Sequence, residues 1–250
     1  MSLVETVIVT GANGDIGNRL VQKLIKENYN VIATVRNPNS EFSNWCSRLE
    51  KGSGVTLSCE ILNLDDANLA QAQLSEILSK HPDALHLVNN AAIAFGSTVL
   101  MTPIKSLRRV FEINLFSQFA LSQIFTKHLL KSRKGSITNI SSTAASVPLP
   151  GSFVYGSSKL ALEYMTGVLA SELLNTQIRI SAIELGPVNT KMLSQMDRKS
   201  MHLLISSSTL KRVLSPSEAA DSIFYHAFQS NCNCPNLIHV ITEESQANER

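Results

Sequence analysis

The chain has 250 residues and carries 22 Lys and Arg against 20 Asp and Glu, so its formal charge of +2 gives no electrostatic case for a nucleic-acid or anionic-membrane partner. A hydrophobic fraction of 44% with 17% charged residues excludes a disordered chain, and 6% aromatics supply too few rings for a base-stacking platform. No apolar run approaches the ~20 residues that span a bilayer, and the stretch from Val7 to Val9 is too short, with no basic lead-in, for a signal-peptide core.

Short β-branched runs alternate with longer segments of helical period. Val7-Ile8-Val9 reads as a buried strand, followed by a glycine-rich turn and a helix from about Gly14 to Asn28 with Ile16, Leu20, Val21, Leu24 and Ile25 on one face. Val31–Val35 is a second strand, ended by Asn37-Pro38, and Val55–Leu62 a third. Asp66 opens the next helix, Leu85–Val88 forms a fourth strand, and one long helix spans about Ile104 to Leu130. Ser136–Ile140, a helix from Tyr155 to about Leu174, and Ile178–Ile183 continue the alternation; a helix starting at Ser217 and a strand over Asn236–Ile241 close it.

Apolar strands in strict alternation with helices predict one Rossmann-type, doubly wound α/β domain over residues 1–250, with a parallel sheet of about seven strands and helices on both faces. Residues from about Lys191 to Ser215 look irregular, are rich in Ser, Lys, Arg and Met, and follow a strand's C-terminal end, where loops cover ligands in such sheets; they read as a mobile lid. The four cysteines, Cys46, Cys59, Cys232 and Cys234, form no disulfide framework and read as reduced thiols of a cytoplasmic protein. None of the six histidines pairs at metal-ligand spacing, so no metal is assigned.

Thr10-Gly11-Ala12-Asn13-Gly14-Asp15-Ile16-Gly17 follows the first strand and opens the first helix. Such a turn lets backbone N–H groups approach a pyrophosphate at the positive end of a helix. The second strand ends at Val35, where a carboxylate would accept from a ribose 2′-hydroxyl and repel a 2′-phosphate; Arg36 follows instead, and its guanidinium matches a 2′-phosphate. NADP(H) is therefore favoured over NAD(H). Tyr155 and Lys159 stand at i and i+4 on one helix face, where an ammonium stabilises a phenolate and should lower the tyrosine pKa towards working pH. A tyrosine tuned in that way can pass a proton to a carbonyl oxygen. Ser141-Ser142 follows the fifth strand, Asn89-Asn90-Ala91 the fourth, and Asn114 is an odd polar residue inside the long helix.

In this order the motifs resemble the classical short-chain dehydrogenase/reductases over essentially the whole chain. That resemblance implies an oxidoreductase moving hydride between a nicotinamide and a carbonyl or secondary alcohol. It makes Tyr155 the acid/base and Ser142, thirteen residues earlier, the hydrogen-bonding partner of the substrate carbonyl. Lys159 would tune Tyr155 and hold the nicotinamide ribose, and Asn114 would hold a water relaying protons to Lys159. The cofactor contacts implied are Gly11, Asn13, Asp15, Ile16 and Gly17 at the phosphates; Arg36 at the 2′-phosphate; Asn63 and Leu64 at adenine; Asn90 and Ala91 at the adenine ribose; and Gly186, Val188 and Thr190 at the carboxamide. Asp15 stands where the family has its second glycine, Gly14 where it has a basic or polar residue, and Asn63 where it has Asp. The family's helical dimer contact implies a homodimer or homotetramer. Two other readings are a 3-oxoacyl thioester (acyl-carrier-protein) reductase and a catalytically silent NADP-binding redox sensor. The intact Asn114, Ser142, Tyr155 and Lys159 set argues against the sensor. Residues 94–102 and 191–215 would line the substrate pocket.

Overall fold

A computed structural model describes residues 4–50, 54–195, 198–208, 210–229 and 238–240. The strands are β1 (Thr6–Thr10), β2 (Asn30–Val35), β3 (Leu57–Ile61), β4 (Ala84–Asn89), β5 (Lys134–Ser142), β6 (Gln177–Leu185) and β7 (Ile238–Val240). They form one parallel sheet in the order β3-β2-β1-β4-β5-β6-β7. The strand order reverses between β1 and β4, the switch point where such sheets open a crevice at their C-terminal edge.

The helices are α1 (Asp15–Lys26), α2 (Ser40–Glu50), α3 (Ala67–Lys80), α4 (Ile104–Phe111), α5 (Ser117–Leu129), α6 (Phe153–Glu172), α7 (Arg198–Ser207) and α8 (Pro216–Phe224). Strand side chains alternate between faces, so β1 and β2 build two cores at once. Val7, Val9, Val31, Ala33 and Val35 meet α1, α2 and α8 on one side. Ile8 and Ile32 pack on the other with Leu74 and Ile77 of α3 and Leu121, Phe125 and Leu129 of α5. Burial on both faces explains why these strands are apolar throughout.

Four local readings of the sequence change. The helix α2 was not foreseen; its Phe42, Trp45, Cys46 and Leu49 carry a one-face period, and the Asn39 side-chain oxygen accepts from Phe42 N at 2.8 Å to start it. The single helix expected over about Ile104 to Leu130 is one rod interrupted by a π-helical turn at Glu112–Phe116, between α4 and α5. The stretch from Lys191 to Ser215, expected to be irregular, contains a 3₁₀ turn at Leu193–Gln195 and then α7. The helix expected from Ser217 begins at Pro216: Ser215 caps it, accepting from Glu218 N at 3.2 Å while the Glu218 carboxylate accepts from Ser215 N at 2.7 Å. The last strand is present as β7, with Asn236, Leu237 and Ile241 outside the described residues, as are Cys232 and Cys234.

Candidate active site

All seven strands run the same way, so the ends of β1, β4, β5 and β6 deliver their following residues to one edge. At β1 the turn is shaped by close approach. Gly11 has φ +64°, and a Cβ there would sit 3.0 Å from Ala91. A Cβ on Gly17 would lie 2.3 Å from the Gly11 carbonyl and 2.9 Å from Asn90 Nδ2. Asn90 welds the two strand ends together: its Nδ2 donates to the Thr10 carbonyl at 2.9 Å, and Thr10 Oγ1 accepts from the N–H groups of Asn90 and Ala91, each at 3.0 Å. Gly14 is the N-cap of α1 and places no side chain over the helix's first N–H groups. Asn13 beside it is exposed. This bare helix start, walled by backbone, suits a pyrophosphate.

Asp15 is the first residue of α1, and its carboxylate reaches across the edge to accept from Lys191 N at 2.7 Å, just beyond Thr190. Arg36 lies at the end of β2, where Nη1 sits 3.4 Å from Asp65 Oδ2, both side chains being solvent-exposed. Asn63 accepts from Asp65 N through its Oδ1 at 2.9 Å, so its acceptor oxygen is committed within the turn. Leu64 is buried and its carbonyl accepts from Ser117 Oγ at 2.9 Å. Gly186, by contrast, has open space where a Cβ would project. Val188 pairs with Leu214 in a short parallel bridge, and Thr190 Oγ1 donates to the Val188 carbonyl at 3.3 Å.

The Ser142, Tyr155 and Lys159 side chains converge between β5 and α6. Asn89 Nδ2 donates to Asn139 at 2.8 Å, and Asn139 Nδ2 donates to Thr166 at 2.8 Å, tying β4, β5 and α6 through the interior. Gly156 brings α6 close: a Cβ there would fall 2.3 Å from the Ala144 carbonyl. The Ser142 hydroxyl lies beside Tyr155 and favours its phenolate, and Ser142 Oγ accepts from Ala144 N at 3.2 Å. The Ser141 hydroxyl donates to Glu163, further along α6. The Lys159 side chain is buried, its Nζ donating to the Ile140 carbonyl at 2.7 Å and lying 5.9 Å from the centre of the Tyr155 ring.

Here the expected tyrosine tuning is reversed. Burial pushes the Tyr155 phenol up to about 12, only partly opposed by the Ser142 hydrogen bond. Burial also takes Lys159 down to about 8, against the pull of the Glu163 charge. With both groups desolvated, the cost of burying a phenolate outweighs what the Lys159 ammonium offers it in the resting site. Asn114, in the π turn and fully buried, accepts from Ile93 N at 2.9 Å and gives both amide hydrogens, to the Ile93 carbonyl at 2.9 Å and to Ser158 Oγ at 3.1 Å. Only the second lone pair of Oδ1 is left for the expected water.

Asp65, Ser158, Gly156 and Glu163 escaped the sequence reading. Ser158 and Gly156 lie inside Tyr155-x-x-x-Lys159, and Glu163 repeats that motif's four-residue step, so each carried a legible signal. Glu184, which could have faced the cleft, is buried and accepts from Ser146. Among the described residues no group of three or more His, Cys, Asp or Glu could hold a metal, and no helix is long and apolar enough to cross a membrane.

A bare glycine turn at the switch point, with a Ser–Tyr–Lys row on the same edge, defines a nicotinamide-dependent oxidoreductase of the doubly wound α/β class. The family model described as short chain dehydrogenase matches residues 5–201. The chain belongs to that family, whose enzymes interconvert C=O and CH–OH groups. A short-chain type dehydrogenase/reductase of Picea abies is 30% identical over 74% of this chain and 71% of its own. The 3-oxoacyl-(acyl-carrier-protein) reductase FabG of Thermotoga maritima is 27% identical over 88% and 89%, and the L-xylulose reductase of Caenorhabditis elegans 29% identical over 88% and 86%. Among solved structures, a short chain dehydrogenase/reductase family protein superposes with a TM-score of 0.77 at 26% identity, covering 91% of each chain. ElxO with NADP bound shares the fold, with a TM-score of 0.84 at 23% identity over 96% of this chain and 97% of its own.

Proposed function

We propose that this enzyme is an NADP(H)-dependent carbonyl reductase acting on a small molecule in the cytoplasm, with Tyr155 as its proton donor. The observation that carries the reading is the Ser142–Tyr155 hydroxyl pair beside the buried Lys159, on the sheet edge that also holds the bare start of α1. The bound cofactor supplies hydride to the carbonyl carbon. Tyr155 Oη gives a proton to the carbonyl oxygen, Ser142 Oγ hydrogen-bonds the same oxygen, and the Lys159 ammonium stabilises the phenolate left behind. The phenolate then takes a proton from the Lys159 ammonium, and Lys159 regains that proton from solvent through a water held at the remaining lone pair of Asn114 Oδ1.

Gly11, Asn13, Asp15, Ile16 and Gly17 would cradle the pyrophosphate, Asp15 through its backbone because its carboxylate is turned to Lys191. Arg36 would exchange the exposed Asp65 carboxylate for the 2′-phosphate. Asn63 and Leu64 would hold adenine, Asn90 and Ala91 its ribose, Tyr155 and Lys159 the nicotinamide ribose, and Gly186, Val188 and Thr190 the carboxamide. Residues 191–215, α7 included, form the lid. A second copy would cover the apolar residues that α5, its preceding π turn and α6 expose, chiefly Phe116, Phe119, Leu160, Tyr164 and Val168. Light scattering on the eluting protein should give at least twice the 27.3 kDa chain mass; a monomer mass would remove this contact.

The test is NADPH oxidation against diketones, quinones, keto-sugars, steroids and 3-oxoacyl thioesters, with wild type and Arg36→Ala compared on the best substrate. Loss of the guanidinium should raise the KM for NADPH about tenfold, equivalent to ~1.4 kcal/mol, and leave that for NADH nearly unchanged. Equal effects on the two cofactors would remove the 2′-phosphate assignment.

A further inference from the structure

Beyond Lys159, α6 buries a carboxylate. Glu163 follows Lys159 by four residues, which sets both on one helix face. It is 7% exposed, and Ser141 Oγ donates to its Oε1. Ser142, at the end of β5, lies beside Tyr155, while Ser141 meets Glu163 two helical turns further along α6. Lys159 is 2% exposed, and its Nζ is bonded to a carbonyl dipole, not to a carboxylate. An interior ammonium held only by a dipole loses its proton readily, because desolvation penalises the charged form.

We propose that Glu163, bonded by Ser141, is a positioning residue whose negative charge keeps Lys159 an ammonium during reduction. The inference rests on the reading of Tyr155 and Lys159 given above.

The surrounding charges are few. On α6 they are Tyr155, Lys159 and Glu163. The adjacent β6 contributes Glu184, 3% exposed and bonded by Ser146, whose like charge works against ionisation of Glu163. The β5 strand offers the neutral Ser141 and Asn139, and the π turn offers neutral Asn114. Glu112 of the same turn is engaged by Ala67 N, and Lys105, Arg108 and Arg109 of α4 are solvent-exposed. Burial already raises the Glu163 pKa, with Glu184 adding to the rise and the Ser141 bond and Lys159 opposing it. The Ser141 hydroxyl thus acts on the side of the ionised form.

The sign follows. Lys159, with its pKa already down at about 8, must be protonated to stabilise the Tyr155 phenolate. Reduction therefore falls as pH rises through the lysine's pKa, and loss of the Glu163 charge moves that fall to lower pH. The test is the pH profile of kcat for NADPH-dependent reduction by wild type, Glu163→Gln, Glu163→Asp, Ser141→Ala and Tyr155→Phe. In Glu163→Gln the alkaline limb should move about one pH unit towards acid, as expected for losing one opposite charge a helical turn away. Glu163→Asp should return the limb towards its wild-type position. Ser141→Ala should shift it the same way as Glu163→Gln, by less, and it remains the deciding variant if Glu163→Gln fails to fold. An unmoved limb, or a loss by the same factor at every pH, overturns the proposal. Turnover by Tyr155→Phe near the wild-type level would overturn the site reading itself and this inference with it; a dead Tyr155→Phe beside an unmoved Glu163→Gln limb overturns the inference alone.

Discussion

Asp15 shows how one residue can depart from a motif without breaking it. A carboxylate at the first position of a helix is favoured by the helix field, but beside a pyrophosphate it would repel. Here it turns away and accepts from Lys191 N at 2.7 Å, so α1 and the segment entering residues 191–215 are tied across the cleft. Asp15→Ala removes a charge-assisted bond at a partly exposed site and should lower stability by about 1 kcal/mol. It should also speed tryptic cleavage between Lys191 and Arg212; unchanged cleavage would show that the tie does not restrain this segment. The sequence could name Asp15 as anomalous but not say where it points, since its partner is a backbone group 176 residues away. Ser142 is separable from Ser141 in the sequence only by the spacing to Tyr155, and in the structure each hydroxyl has its own neighbour on α6, Tyr155 for Ser142 and Glu163 for Ser141. The rise of the phenol pKa was not legible, because i,i+4 spacing puts Lys159 near Tyr155 but does not report that both are desolvated.

At the scale of elements, α6 is the part on which the site depends most. Tyr155, Ser158, Lys159 and Glu163 are four of its residues, and Gly156 sets its distance from the turn after β5. Alanine is a better helix former than glycine by about 1 kcal/mol, so propensity alone would make Gly156→Ala stabilising. The 2.3 Å approach to the Ala144 carbonyl is a backbone contact that cannot rotate away, and overpacking costs about 1–3 kcal/mol. The variant should therefore melt no higher than wild type and lose kcat at least tenfold as Tyr155 moves off Ser142. A higher melting temperature with full kcat would mean that α6 can shift without harm. Strong periodicity made α1 and α6 readable to within about two residues, and Asp66 marked the start of α3. The π turn was hidden because Ile113, Asn114 and Leu115 look like a continuing helix; only the isolated Asn114 hinted at it, and its bonds to Ile93 and Ser158 explain why the rod widens there. The helix α2 was missed because polar residues dilute its Phe42, Trp45, Cys46 and Leu49 stripe.

For the whole molecule, seven parallel strands give every strand's following loop the same destination. Residues as distant in sequence as Gly11, Asn90, Ser142 and Gly186 thereby come to one edge, and this is why the alternation of strands and helices made so much of the site legible. What the alternation does not encode is the choice of substrate, which the proposed function assigns to residues 94–102 and 191–215. The proposed pairing of copies through α5 and α6 belongs to this scale too, since no single exposed ring such as Tyr164 calls for a partner without its neighbours. The claim on which all scales meet is that the Tyr155 hydroxyl supplies the proton while hydride arrives. The direct measurement is the single-turnover rate of NADPH oxidation by Tyr155→Phe against wild type on one carbonyl substrate, with NADPH affinity followed by its fluorescence. The rate should fall by about 10²–10⁴ with affinity within about threefold of wild type; a phenylalanine enzyme that oxidises NADPH as fast as wild type would contradict the account.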